Sequence, residues 1–283
     1  MSNEKKTKKK SRTATILLLI LMLVCLGVFG FSAYKILSQK AEDSEGEAVY
    51  EEIEQIAGMG QSETPETVVA KPGTRSWSGE KAHSVVDGEE GSYSIRIVDF
   101  DALRKKNGEI IGWLEIPDTV VNYPVVQAEN NDKYLRHLLN GSYHRFGTLF
   151  FDYRQDLSGD QLNDEITYIY GHNIRAGDMF HTIQFYTKQS YYEEHPYAVL
   201  YMPEDTYVLE FFAMVTINEN DNLRFSFPQD AQGYLDGLKR KSIFDSATEV
   251  TDEDRIVGLF TCTNEDHSER YILFGKVIPL DLQ

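Results

Sequence analysis

Hydrophobic and polar positions follow three different rules along this chain. From Ala14 to Ala33 the residues are predominantly apolar on every side. As a helix these twenty residues would rise about 30 Å, the thickness of a bilayer core. Residues 41–56 then hold seven carboxylates and no Lys or Arg, the pattern of a solvated segment, although Val49, Tyr50, Ile53 and Ile56 fall at helical spacing inside it. Gly, Ser, Thr and Pro are frequent from Gly58 to Gly79, so 38–91 reads as an acidic flexible linker.

From about Tyr93 the pattern becomes short β-rich runs punctuated by turn residues, and one domain of about 190 residues is the economical count. A short helix capped by Asp99 or Asp101 runs to Lys106 and stops at Asn107-Gly108. Strands are predicted at Trp113–Ile116, Tyr123–Val126, Thr148–Asp152, Ile166–Tyr170, Ala198–Met202, Tyr207–Ile217, Arg255–Cys262 and Arg270–Ile278. Pro117-Asp118 turns the chain between the first two. Eight strands at this density predict a barrel or sandwich. Helices are predicted at Asp178–Tyr186 and Gln229–Lys241, the second with Ala231, Tyr234, Leu235 and Leu238 on one face and Lys239, Arg240 and Lys241 at its C-terminal end.

Charge sets the topology. Lys5, Lys6, Lys8, Lys9, Lys10 and Arg12 precede the apolar run, and only Lys35 and Lys40 follow it closely. That asymmetry predicts a cytoplasmic tail at 1–12, a single-pass membrane anchor at 13–37 and an extracellular domain at 92–283. The run exceeds the core of about 7 to 15 residues of a cleaved leader, and Phe31-Ser32-Ala33 is a poor cleavage site. The formal charge of the chain is −17; six positive charges and one negative in the first twelve residues leave −22 for the rest. Such a surface repels nucleic acid and anionic lipid, and its ordinary role is solubility.

Cys262 is the only cysteine after the apolar run, Cys25 lying within that run. An odd cysteine in an exported domain indicates an intermolecular bridge or a reactive thiol, and the strand-like surroundings Leu259-Phe260-Thr261-Cys262-Thr263 favour the thiol. A nucleophilic thiol needs a proton acceptor, usually histidine. Of seven histidines, His172 follows the strand Tyr168-Ile169-Tyr170 directly, where a side chain projects into a groove. Acyl transfer also needs a positive group where an oxyanion develops. Arg270 opens the strand after Cys262, and a loop from Thr263 to Glu269 allows the two to be neighbours on antiparallel strands. The alternative for Arg270 is a surface ion pair with Glu265, Asp266 or Glu269.

Tyr170-Gly171-His172-Asn173, Thr261-Cys262 at the end of a later strand, and an arginine opening the next resemble the signature of sortases, cysteine transpeptidases of Gram-positive surfaces. Gly112-Trp113-Leu114-Glu115-Ile116-Pro117, Tyr123-Pro124-Val125-Val126-Gln127, Asp152-Tyr153-Arg154, Gly177-Asp178-Met179-Phe180 and the helix at 229–241 resemble class B, and the likeness covers about 97 to 280. It implies a mixed, mainly β fold: an eight-stranded sortase barrel with N-terminal helices and a helix inserted before the cysteine strand. It also implies Cys262 as nucleophile, His172 as acid and base and Arg270 as oxyanion or substrate clamp. Asn173, Phe260, Thr261 and Thr263 flank these positions and are assigned to substrate binding. No metal or organic cofactor is implied. The partners implied are exported proteins bearing a C-terminal sorting signal, cleaved after Thr, and an amine acceptor from a peptidoglycan precursor or a pilin. Where many sortases have Thr-Leu-x-Thr-Cys, this chain has Gly258-Leu259-Phe260-Thr261-Cys262, which sets a bulky Phe260 near the groove. Glu265, Asp266 and Glu269 are read as recruiting a cationic acceptor.

Two other functions compete. A wall-peptide cysteine hydrolase of the papain type would place its cysteine before its histidine, the reverse of this chain, and L,D-transpeptidases have a Ser-His-Gly-Cys type context that is missing here. A non-catalytic adhesion domain would hold Cys262 as an inert buried residue.

Overall fold

The computed structural model describes residues 2–59, 67–72, 93–174, 177–218, 221–262 and 269–282. Helix α1 (Ser2–Ala57) is, among the described residues, the one helix long and apolar enough to cross a membrane. The chain divides into two compact units, Met1–Ala48 and Val49–Gln283.

In the second unit α1 is followed by β1 (Thr67–Pro72), β2 (Tyr93–Arg96) and α2 (Phe100–Lys106). Asp99 caps α2, its carboxylate accepting from Ala102 N at 2.8 Å, as the sequence predicts. The remaining strands are β3 (Ile110–Glu115), β4 (Asn122–Val126), β5 (Leu149–Phe151), β6 (Ile166–His172), β7 (Tyr197–Tyr201), β8 (Thr206–Asn218), β9 (Ile256–Cys262) and β10 (Glu269–Leu282). Their order is β10-β8-β7-β3-β4-β5-β6-β9, and β9 pairs back onto β10, closing an eight-stranded barrel. Closure removes the open edges of these eight strands, while β1 and β2 extend the sheet from the end of β10. Neighbours are antiparallel except β4–β5 and β6–β9. Trp113, Tyr168, Phe211, Phe212 and Phe274 are fully buried in the core. Helices α3 (Gln189–Glu194) and α4 (Ala231–Lys241) lie in the β6–β7 and β8–β9 connections. Leu235 and Leu238 are the residues α4 buries, and Asp230 caps it.

Three expectations need correction. The compact unit begins at Val49, not at 92. Tyr50, Ile53, Ala57 and Met59 are buried in the core, because the apolar stripe seen at 49–56 continues to Met59 and docks while Glu51 and Glu52 face outward; Glu54 is half-buried, and Glu52 pairs with Lys106 at 2.7 Å. The end of this helix is tied to the barrel through the Met59 carbonyl, which accepts from Arg96 Nη1 at 2.7 Å and Asn122 Nδ2 at 3.1 Å. Within the predicted linker, Thr67–Pro72 is a strand that pairs with β10 at Ala70↔Leu282 and with β2 at Val68↔Ile95. The helix predicted from Asp178 is instead a 3-10 helix at Phe180–Thr187, because Met179 sits at φ 56° and bridges to Asn173, which blocks an earlier start.

Candidate active site

β6 reads Ile166-Thr167-Tyr168-Ile169-Tyr170-Gly171-His172 and is buried up to its last residue, the pattern of a strand covered on both faces. Its parallel partner is β9, and the ladder runs from Ile166↔Ile256 to His172↔Cys262. Adjacent strands are about 4.8 Å apart, so the backbones of His172 and Cys262 are direct neighbours. Side chains alternate along a strand, so position 172 shares a face with 170, and 262 with 260. That common face is visible in the rings of Tyr170 and Phe260, whose centroids are 5.0 Å apart. Gly171, on the other face, has no room for a side chain: a Cβ there would meet Leu149 Cδ2 and Phe180 Cδ2 at 2.5 Å. The 3-10 helix therefore lies flat against the strand that presents His172.

His172 Nε2 donates to the carbonyl oxygen of Leu135 at 2.6 Å. Leu135 closes a 3-10 turn, Lys133–Leu135. The hydrogen bond fixes the tautomer, leaving Nδ1 as the basic nitrogen. Burial holds the imidazole below its ordinary pKa and the Arg136 charge pushes the same way, while the Leu135 carbonyl opposes them. The ring is neutral at pH 7.

Phe260 and Tyr170 are both largely buried, and Tyr170 also stacks on Phe150 at 5.1 Å. The Tyr170 hydroxyl donates to Asp152 Oδ2 at 2.9 Å. Asp152 is fully buried and also receives Arg154 Nε and Nη2, each at 2.8 Å, and Asn131 Nδ2 at 3.0 Å. Burial pushes this carboxyl up, and the hydrogen bonds from Arg154, Asn131 and Tyr170 outweigh it, so Asp152 stays charged. The Asp152-Tyr153-Arg154 segment thus supports the aromatic layer two residues before the His172–Cys262 level.

Thr261 is buried, and its hydroxyl accepts from Tyr271 N at 3.1 Å and lies 3.3 Å from Tyr271 O, which fastens β9 to β10. The β9–β10 ladder pairs Phe260 with Ile272. Continued by two residues, that register sets Arg270 opposite Cys262. Arg270 is half-buried at the start of β10, and Glu269 beside it is exposed. Asn173 turns its amide oxygen to His181 Nδ1 at 2.8 Å. Thr263, Glu265 and Asp266 lie outside the described residues, and Cys262 is described by its backbone. The structure therefore brings His172, Cys262, Arg270, Phe260 and Thr261 to one end of three adjacent strands, and gives Thr261 and Asn173 partners within the protein.

The family model for the Sortase domain matches residues 114–278. Sortase B of Staphylococcus aureus (strain NCTC 8325 / PS 47) is 31% identical over 264 residues, which is 92% of this chain and 94% of the relative. The chain belongs to the class B sortases. Solved sortase B structures agree. A substrate complex from Staphylococcus aureus has a TM-score of 0.60 at 34% identity, covering 63% of this chain and 84% of its own. A sortase B from B. anthracis in complex with AAEK1 has a TM-score of 0.65 at 25% identity, covering 84% and 98%. Membership makes this chain a sortase-type cysteine transpeptidase.

Sequence reasoning missed the Leu135 carbonyl, the nearby Arg136 charge and the Tyr170–Asp152 pair behind this sortase site. A main-chain carbonyl carries no residue signature. Asp152 did carry one: a carboxylate at the end of a predicted apolar strand needs a buried partner, and Arg154 stands two residues on.

Proposed function

We propose that Cys262, His172 and Arg270 carry out acyl transfer from the C-terminal sorting signal of exported proteins to an amine. The observation that carries this reading is the parallel register His172↔Cys262. Because His172 is neutral and its Nε2 proton is committed to Leu135, Nδ1 is the atom that takes the thiol proton as the sulfur attacks. The attacked carbonyl is that of the signal's threonine. Its oxygen becomes an oxyanion that the Arg270 guanidinium stabilises. On collapse, the proton on Nδ1 passes to the leaving amine, the peptide C–N bond breaks and a thioester remains on Cys262. An incoming amine of a peptidoglycan precursor or a pilin then attacks, loses its proton to Nδ1 and releases the thiol.

Phe260, with the Tyr170 ring against it, shapes the floor beneath the signal and narrows which motif fits. Asn173, Thr261 and Thr263 are assigned to substrate binding beside it. Glu265, Asp266 and Glu269 are assigned to drawing a cationic acceptor. The basic tail and the apolar part of α1 hold the enzyme in the cell membrane as a single pass, with the N-terminus cytoplasmic and the catalytic unit outside.

The test is intact mass of the full chain in detergent after incubation with a panel of sorting-signal peptides, wild type beside Cys262→Ala. A mass gain equal to the N-terminal part of one peptide, missing in the variant, is expected. Cleavage that survives Cys262→Ala overturns the assignment. Neutralising Glu265, Asp266 and Glu269 together is expected to slow transfer to amine and spare thioester formation; equal loss of both steps removes them from acceptor recruitment.

A further inference from the structure

Tyr50 is connected to the candidate base through a short series of contacts inside the barrel's compact unit. Tyr50 lies on α1 within the barrel's compact unit, and its ring packs edge-on against Tyr123 at 5.2 Å. Its buried hydroxyl donates to the Gly147 carbonyl at 2.5 Å and lies 3.4 Å from Thr148 Oγ1. Gly147 has φ +59°, and a Cβ on it would stand 2.5 Å from Tyr134 O and 2.8 Å from Leu135 O. Thr148 N donates to Tyr134 O at 2.9 Å, and Thr148 Oγ1 donates to His137 O at 2.9 Å. Segment 147–148 is therefore clamped against 134–137, backbone on backbone. Leu135 O in turn accepts from His172 Nε2 at 2.6 Å.

Each step of this path is a hydrogen bond, except that between Gly147 and Leu135, where the backbones approach closely enough to leave no room for a Cβ. Removing the Tyr50 hydroxyl leaves the Gly147 carbonyl unpaired in the interior, and a buried acceptor moves to find a partner. Gly147 cannot move without displacing the Leu135 carbonyl against which it is packed. We propose that Tyr50 is a positioning residue for His172, acting through Gly147 and the Leu135 carbonyl to hold the imidazole as its Nε2–H tautomer. The inference rests on the reading of His172 as acid and base for its catalytic consequence, but not for its structural one.

The experiment uses the full chain in detergent micelles with Cys25→Ser, so that Cys262 is the single thiol, and compares Tyr50→Phe with Ile53→Ala, which loosens the same helix by packing alone. Thermal midpoint, the pH dependence of Cys262 alkylation and the 15N-histidine spectrum of His172 are read on each. Tyr50→Phe is expected to slow alkylation by about three- to tenfold, to shift its pH midpoint and to turn the single His172 tautomer signal into a mixture. Ile53→Ala is expected to lower the thermal midpoint and leave the His172 signal and the pH midpoint unchanged. Should Tyr50→Phe not fold, Thr148→Val probes the same contact from the other side, with the same expected change in the spectrum. An unchanged His172 spectrum in the folded Tyr50→Phe or Thr148→Val chain overturns the coupling. Alkylation indifferent to His172→Gln overturns the proposed chemistry instead, and the spectrum still reads the coupling.

Discussion

β9 has two neighbours, and near Cys262 they hold it in different ways. Toward β6 the ladder is parallel and unbroken through His172↔Cys262. Toward β10 it is antiparallel and its last pair is Phe260↔Ile272, beyond which the Thr261 hydroxyl bridges to the Tyr271 backbone. The histidine side is thus held to β9 by main-chain pairing, whereas at this level β10 is held to β9 by one side chain and takes its main-chain pairing from β8 on its other edge, Arg270 opposite Ile217. A proton acceptor must lie within hydrogen-bond reach of the thiol, whereas a charge acts over a longer and less directional range. The flank joined to β9 by main-chain pairing carries the residue proposed as proton acceptor, whose geometric demand is the stricter.

The largest expected effect breaks the histidine flank. His172→Gln should cut thioester formation by about 10²- to 10⁴-fold, measured as single-turnover acylation. The same variant should flatten the acidic side of the pH profile. His172 has a folded pKa below its unfolded value of about 6.5, so between pH 7 and 5 the unfolded chain takes up a proton that the folded chain refuses. The wild type therefore loses stability as pH falls through that window, and His172→Gln should lose less, as denaturant midpoints at pH 7 and 5 will tell.

Arg270→Ala comes next, with about 10²- to 10³-fold expected from loss of an oxyanion partner. The comparison is sharpened by Arg270→Lys, which should recover part of the rate because the arginine flank tolerates a displaced charge. A lysine variant no better than alanine would mean that this flank is as exacting as the other. Gly171→Ala should lower stability by about 1 to 3 kcal/mol through its clash with Leu149 and Phe180, with a fall in acylation alongside it. Thr261→Val should cost about 1 kcal/mol by removing the bridge to Tyr271. Its acylation rate should change less than that of Gly171→Ala; the reverse order would invert the contrast between the flanks.

The barrel strands were legible because alternation and turn residues mark each one locally, and the observed ends differ from the expected ones by a few residues. That His172 and Cys262 meet was legible because each stands at the end of a predicted strand, and the structure sets them opposite one another. The docked end of α1, residues 49–57, was hidden by seven carboxylates around a stripe of a few apolar residues, and composition outweighed periodicity. Strand β1 was hidden for a related reason: Thr67–Pro72 is short, and its pairing partner is the end of β10, more than 200 residues away. Nor does sequence spacing alone give the parallel pairing of β6 with β9, because nothing local in either strand names the other.

That pairing has a consequence for how the enzyme comes into being. His172 and Cys262 are 90 residues apart in the chain, and the strand that closes the sheet beside Cys262 is the last one, β10. Contacts between distant segments form late, after the entropy of closing the long intervening loop has been met. A chain interrupted before residue 269 holds both the thiol and the imidazole yet lacks the strand that seals the barrel and brings Arg270. The meeting of the three proposed residues is therefore complete only once β10 has paired with β8 and β9.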